Sequence, residues 1–298
     1  MEIFINVVLP VFLIFAAGFF IQKWKRLDIR SVSTVAIYVL SPCLVFRTFY
    51  HANLDAQYMK MVLFALALLF AIILLNKLYC IVRGYSSSVE NALVLSTAFM
   101  NSGNYGAPII LFAFGEVGFA YSISFMVLQS VIMNFFGVYY AARGSAGFKL
   151  ALLTVFKMPA TYAVIMALFM QFFNIEAPAN VFSAVDLVAE AAIPVVMLVL
   201  GMQLAQITLT NLEFGKITYA SIMRLFLSPV IAALIIMILP MDPLLEKVLI
   251  VSAAMPTAAT TTMYAVQFET EPELVSSITL VTTVLSILTI TALLTFIA

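Results

Sequence analysis

Long apolar runs, interrupted by short clusters of charge, glycine and proline, constrain this chain more than any other feature of it. Cutting at those clusters leaves stretches near 3–22, 29–49, 58–81, 91–115, 117–141, 149–173, 181–206, 215–239, 246–267 and 273–297. Each is close to the roughly 20 residues that carry an α-helix across a bilayer core. Backbone groups left unpaired in lipid are costly, and the runs are too continuous for the alternating pattern of an outer-membrane barrel. The chain therefore reads as an all-α membrane protein with ten transmembrane helices. Its 298 residues are 64% hydrophobic and 9% charged, whereas about a quarter of a soluble domain is charged. A formal net charge of zero and the lack of any Lys/Arg-rich segment exclude nucleic acid as a partner.

The first run, from Ile3, follows Glu2 and precedes Lys23, Lys25 and Arg26, so it reads as a retained helix and not a cleaved signal. Basic residues then set the orientation. Lys77, Arg83, Arg143, Lys149 and Lys216 join that first cluster and Arg30 on one side, leaving Arg47, Lys60 and Lys247 on the other. The positive-inside rule places both termini outside. Trp24, between Lys23 and Lys25, reads as an interfacial anchor. Cys43 and Cys80 have no metal-ligand spacing.

The two halves of the chain echo each other. LVLSTAF at 93–99 resembles LIVSAAM at 249–255, and Pro10 and Pro42 recur as Pro159 and Pro194 at similar separations. Five helices per half is an odd number, so the second half enters the membrane from the opposite side. That predicts two inverted five-helix repeats, 2–141 and 149–297, within a single unit spanning 1–298. Inverted repeats with broken helices at matching places are the sequence sign of a secondary transporter with its site near the bilayer midplane.

The fourth and ninth stretches have the most polar middles. TAFMNSGNYGAPIILF at 97–112 carries two glycines and a proline that loosen helix, together with Asn101, Ser102, Asn104, Tyr105, Gly106 and Pro108. The ninth offers Pro256, Thr257, Thr260, Thr261, Thr262 and Tyr264. A break at membrane depth is tolerated where it faces protein or a water-filled cavity. Half-helices that begin after a break present amides and a partial positive charge suited to an anion. Those that end at one present carbonyls suited to a cation. The competing reading is that small and hydroxylated residues only allow close helix packing.

Arg224, in the eighth stretch, is the candidate cation for a carboxylate, or else it snorkels to the inner interface. Both readings stand. Lys157 reads as an interfacial anchor. Asp186 and Glu190 share a helical face near the outer end of the seventh stretch; both read as part of a solvated outer face, with Glu190 the candidate proton carrier on the alternative reading. The paired intramembrane aspartates of sodium–proton antiporters are absent from the sequence.

At these residues the chain resembles the auxin efflux carrier family, which includes bacterial organic-acid carriers and the plant auxin exporters. Asn101, Gly106 and Pro108 match its Asn-x4-Gly-x-Pro pattern. AAMP at 253–256, SPCLVF at 41–46, and Pro194 with Gly201-Met202 are similar to its other elements. The resemblance implies a fold like that of bile-acid symporters and NhaA-type antiporters, with the fourth and ninth helices crossing at the substrate site. It also implies scaffold helices near 3–49 and 149–206, transport helices near 58–141 and 215–297, and a homodimer. Met100 departs from the proline frequent before the Asn, and the long loop of plant members shrinks to a few residues around Arg143–Lys149, which points to the bacterial type.

The expectation is a secondary transporter in the cell (inner) membrane that moves a small organic anion, a carboxylate or dicarboxylate, by alternating access. A proton or sodium is the candidate coupling ion, and no cofactor is called for. The substrate set would be Asn101, Ser102, Asn104, Tyr105, Gly106, Pro108, Pro256, Thr257, Thr260, Thr261, Tyr264 and Arg224. The alternative is a membrane-embedded sensor or scaffold that binds a metabolite without moving it. With one histidine there is no HExxH site, and no Walker-type loop is present, so neither a zinc hydrolase nor an ATP-driven pump is expected.

Overall fold

The computed structural model describes residues 2–52, 55–142, 156–207 and 213–297. Among them every regular element is a helix: α1 Phe4–Lys25, α2 Ile29–Tyr50, α3 Ala56–Arg83, α4 Ser87–Thr97, α5 Ser102–Ala141, α6 Pro159–Phe172, α7 Ala179–Gln206, α8 Phe214–Ile238, α9 Pro243–Ala253, α10 Ala259–Gln267 and α11 Pro272–Ile297. Seven of these, α1, α2, α3, α5, α7, α8 and α11, are long and apolar enough to cross a membrane singly, and α6 is a shorter apolar helix. The surface is inverted relative to a protein in water. Val82, Ile238 and Phe296 are more than four-fifths exposed, while Asn76, Thr97, Ser252 and Thr282 are fully buried.

The 40 residues of α5 would extend about 60 Å at 1.5 Å per residue, twice the thickness of a bilayer core. Gly115 divides them. Its φ of +67° and ψ of −166° lie in a region that essentially only glycine visits. A Cβ there would meet nothing within 4 Å, so the constraint is the backbone itself and not a lack of space. The boundary expected between the fourth and fifth stretches, 115 to 117, thus coincides with the kink at Gly115, although no loop separates the two lengths of helix.

Helix starts near the chain's charged connections are capped by side chains. Asp28 accepts from the Arg30 amide (3.1 Å), Asp55 from Gln57 (2.9 Å), Ser86 from Val89 (3.4 Å) and Asp242 from Leu244 (2.9 Å). Within the helices, five π turns lie among the described residues; those at 4–8, 36–40, 102–106 and 223–227 end two residues before Pro10, Pro42, Pro108 and Pro229, whereas the one at 133–137 has no proline after it. A proline has no N–H and displaces a carbonyl behind it, and the wider turn accommodates that gap. Pro159 differs from Pro10 in opening its helix after an extended Met158, whereas Pro194 lies inside α7.

Packing sorts the helices. α1 lies along α7, and α2 packs on α6 and α7. α1 and α7 meet backbone to backbone, since a Cβ on Gly18 would sit 2.2 Å from the Leu198 carbonyl oxygen and one on Gly201 2.0 Å from that of Phe15. Elsewhere α3 packs on α4 and α8, α5 on α9, and α11 on α4, α8 and α10.

Candidate functional site

Two extended segments interrupt the helices, one between α4 and α5 and the other between α9 and α10. They pair with each other. Met100 and Thr257 form an antiparallel bridge. The Asn101 amide donates to the Pro256 carbonyl (2.9 Å), and the Ala258 amide donates to the Phe99 carbonyl (3.0 Å). Thr257 extends the tie, its hydroxyl donating to the Ser96 carbonyl (2.6 Å) and its amide to the Thr282 hydroxyl (3.3 Å). Backbone groups freed by each break are thereby satisfied in part by the other, as a buried site requires. Close approach is needed too: a Cβ on Gly106 would lie 3.2 Å from Met255 Cγ.

The four helix ends created by the breaks have different surroundings. The carbonyl ends of α4 and α9 converge on Arg224, carried by the 223–227 π turn of α8 and fully buried. Nη1 donates to the Thr97 carbonyl (2.5 Å), and Nη2 donates to the Ser228 hydroxyl (2.7 Å) and to the Ala253 carbonyl, while Nε–H has no protein partner. Ser228 also donates to the Ala253 carbonyl (2.8 Å). Asn76 reaches the same region, donating to the Thr97 hydroxyl (2.8 Å).

The amide ends of α5 and α10 open instead on a cavity of about 410 Å³, within the range of small-molecule sites. Neither start, Asn101 or Ala258, has a side-chain cap. Asn101, Ser102 and Asn104 line the cavity from one break, and Ala258, Thr260 and Tyr264 from the other. The opposing wall comes from α2, α7 and residues 157–160. Asn101 is 6% exposed, and its Nδ2 has no partner among the described residues. The Tyr264 hydroxyl donates to Asn134 Oδ1 (2.8 Å), and Asn134 Nδ2 in turn donates to the Ser130 carbonyl (2.7 Å). Lys157 is the one charged residue in the described lining, which is otherwise largely apolar and includes five methionines.

The structure brings together on that cavity only part of the set singled out in the sequence: Asn101, Ser102, Asn104, Thr260 and Tyr264. Gly106, Pro108, Pro256, Thr257 and Thr261 lie buried in or beside the paired segments, with the Thr261 hydroxyl donating to the Ala258 carbonyl (2.8 Å). Tyr105 turns away. It is buried against Phe12 and Phe15, and its hydroxyl is 2.7 Å from Ser286 Oγ. Arg224 is outside the lining and neither reaches the cavity nor snorkels to an interface. Glu190 is exposed and also outside it, while Asp186 pairs with Arg47 (2.8 Å). Gln129, Asn134 and Gln203 line the cavity without having been singled out. Their signal was a polar side chain inside an apolar run.

A family model described as membrane transport protein matches residues 3–294. An uncharacterized transporter of Methanocaldococcus jannaschii is 27% identical over 299 residues, covering 96% of each chain. An uncharacterized transporter of Methanothermobacter thermautotrophicus is 25% identical over 267 residues, covering 88% of this chain and 87% of its own. With the match running nearly end to end over a helical chain, the chain belongs to the membrane transport protein family, that of the auxin efflux carriers.

Proposed function

We propose that this protein is a secondary transporter that moves a small organic anion, a mono- or dicarboxylate, across the cell membrane by alternating access. The observation that carries the reading is the pair of uncapped helix starts, Asn101 and Ala258, facing one cavity beside the unpartnered Asn101 Nδ2. Each helix start presents about half a positive charge, and free amides favour a carboxylate. Lys157 adds a full charge at the rim.

On this reading the chain crosses the membrane ten times. α4 with the first part of α5 makes one crossing, the rest of α5 another, and α9 with α10 a third. The two halves are inverted repeats with both termini outside. Helices α1, α2, α6 and α7 form the scaffold through which two copies dimerise, and the remainder moves against it. The close α1–α7 contact at Gly18 and Gly201 supports a rigid scaffold, and a cavity walled by both groups supports motion between them.

The test is flux. Purified protein in proteoliposomes is expected to accumulate at least one labelled mono- or dicarboxylate with saturable kinetics, and Asn101→Ala with Asn104→Ala is expected to abolish it. Binding without flux would favour a sensor, and unchanged flux in the double variant would remove these residues from the site.

A further inference from the structure

The carbonyl ends of two helices in one buried place make a negative electrostatic site. Each contributes about half a negative charge, and Thr97 and Ala253 supply the terminal carbonyls. Discontinuous helices in transporters commonly meet that demand with a coordinated inorganic cation. Here a guanidinium already stands between the two carbonyls, and all its protein partners are neutral oxygens: Thr97 O, Ala253 O and Ser228 Oγ. Burying a charge is costly unless it is compensated. Arg224 is fully buried, and the compensation comes from the helix ends themselves.

We propose that Arg224 is the resident cation of the crossing, a positioning residue whose fixed charge fills the place where the two carbonyl ends would otherwise hold an alkali-metal ion. Three further observations support the assignment. Arg224 is absent from the cavity lining, so its charge is not committed to the solute. It sits, fully buried, on a π turn that ends two residues before Pro229, and is not an adaptable rotamer at a surface. Ser228, one turn on, bonds both to the guanidinium and to the Ala253 carbonyl and so fixes the guanidinium's orientation. The consequence is that the crossing itself needs no sodium, and substrate movement is not coupled to an alkali cation there. That consequence rests on the transport reading. The assignment of Arg224 does not, and the assay below contains no carboxylate, so the two can fail separately.

The experiment is thermal unfolding of the purified full-length protein in choline, potassium, sodium and lithium chlorides at equal ionic strength. Wild type is expected to unfold at one temperature in all four salts. Arg224→Ser is expected to unfold at a lower temperature and to regain about 5 °C, saturably, with sodium or lithium over choline, because the emptied place now binds a cation in the folded state only. Arg224→Lys keeps a charge in place and is expected to be indifferent to salt identity, like wild type. A saturable rise in wild type with sodium or lithium overturns the proposal, as does a folded Arg224→Ser that is as indifferent as wild type. If Arg224→Ser yields no folded protein, Arg224→Lys decides: a folded, indifferent Lys variant supports the charge, and an unfolded one shows that guanidinium shape is what matters and overturns it.

Discussion

At the carbonyl ends of α4 and α9 a buried arginine, a serine hydroxyl and a threonine hydroxyl close off Thr97, Ala253 and Ser96. At the amide ends of α5 and α10, a few residues away along the same two segments, no side chain caps the helix and the space beside it is open. A broken helix always produces both kinds of end. The contrast teaches that this protein satisfies one kind with its own side chains and leaves the other uncapped beside open space, where the proposed solute would sit. It also separates residues needed for the crossing to form from residues free to bind.

That separation can be broken most severely at Arg224. Arg224→Met removes the guanidinium's bonds to Thr97, Ala253 and Ser228, strands the Thr97 carbonyl and leaves Ala253 with Ser228 alone. It is expected to cost about 3 kcal/mol or more, lowering Tm by roughly 6–12 °C in a thermal melt. Asn101→Ala should do the reverse. Its Nδ2 has no protein partner to lose, so Tm should stay within about 1 °C while loss of a hydrogen bond to a charged solute raises KM roughly ten- to a hundredfold in a flux assay. Thr257→Val removes the hydroxyl bond to Ser96 and is expected to cost about 1–2 kcal/mol in chemical or thermal unfolding with solute affinity little changed. The smallest effect is expected at Lys157. Lys157→Gln should weaken carboxylate binding about threefold, and the difference should shrink as salt is raised, because an exposed charge is screened.

The difference between the two kinds of end was only half legible in the sequence. The polar run is expected to break its helix between Asn101 and Pro108, yet residues 102–108 are helical and the extended segment lies just ahead of them at 98–101, whereas the second break falls around Pro256 as its ring suggests. Which side chain faced which end did not follow. Asn101, Ser102, Asn104 and Tyr105 are near neighbours in one polar run, yet the turn sends three to the cavity and Tyr105 to Phe12, Phe15 and Ser286. Arg224 could be placed at depth in the eighth stretch, but its partners Thr97 and Ala253 are more than a hundred residues upstream and on a different helix downstream, and only packing of α8 beside both ends reveals them. Lys157 was judged by its depth along a helix. Phe156 and Lys157 are helical, Met158 is extended and Pro159 opens α6, an arrangement that sets Lys157 beside the cavity. The polar character of Gln129 and Asn134 was visible, but their convergence with Tyr264 depends on how α5 packs against α10.

Cysteine accessibility in native membranes tests the central contrast most directly. In a background with Cys43→Ser and Cys80→Ser, single cysteines are placed near the two kinds of end: Asn101→Cys and Thr260→Cys on the cavity, and Ser252→Cys at the fully buried position next in sequence to the Ala253 carbonyl that Arg224 bonds. A membrane-impermeant, water-soluble thiol reagent, applied from each face in turn, should label the first two from at least one face and leave Ser252→Cys unmodified from both. Labelling of Ser252→Cys with Asn101→Cys protected would contradict the assignment of the open and closed ends.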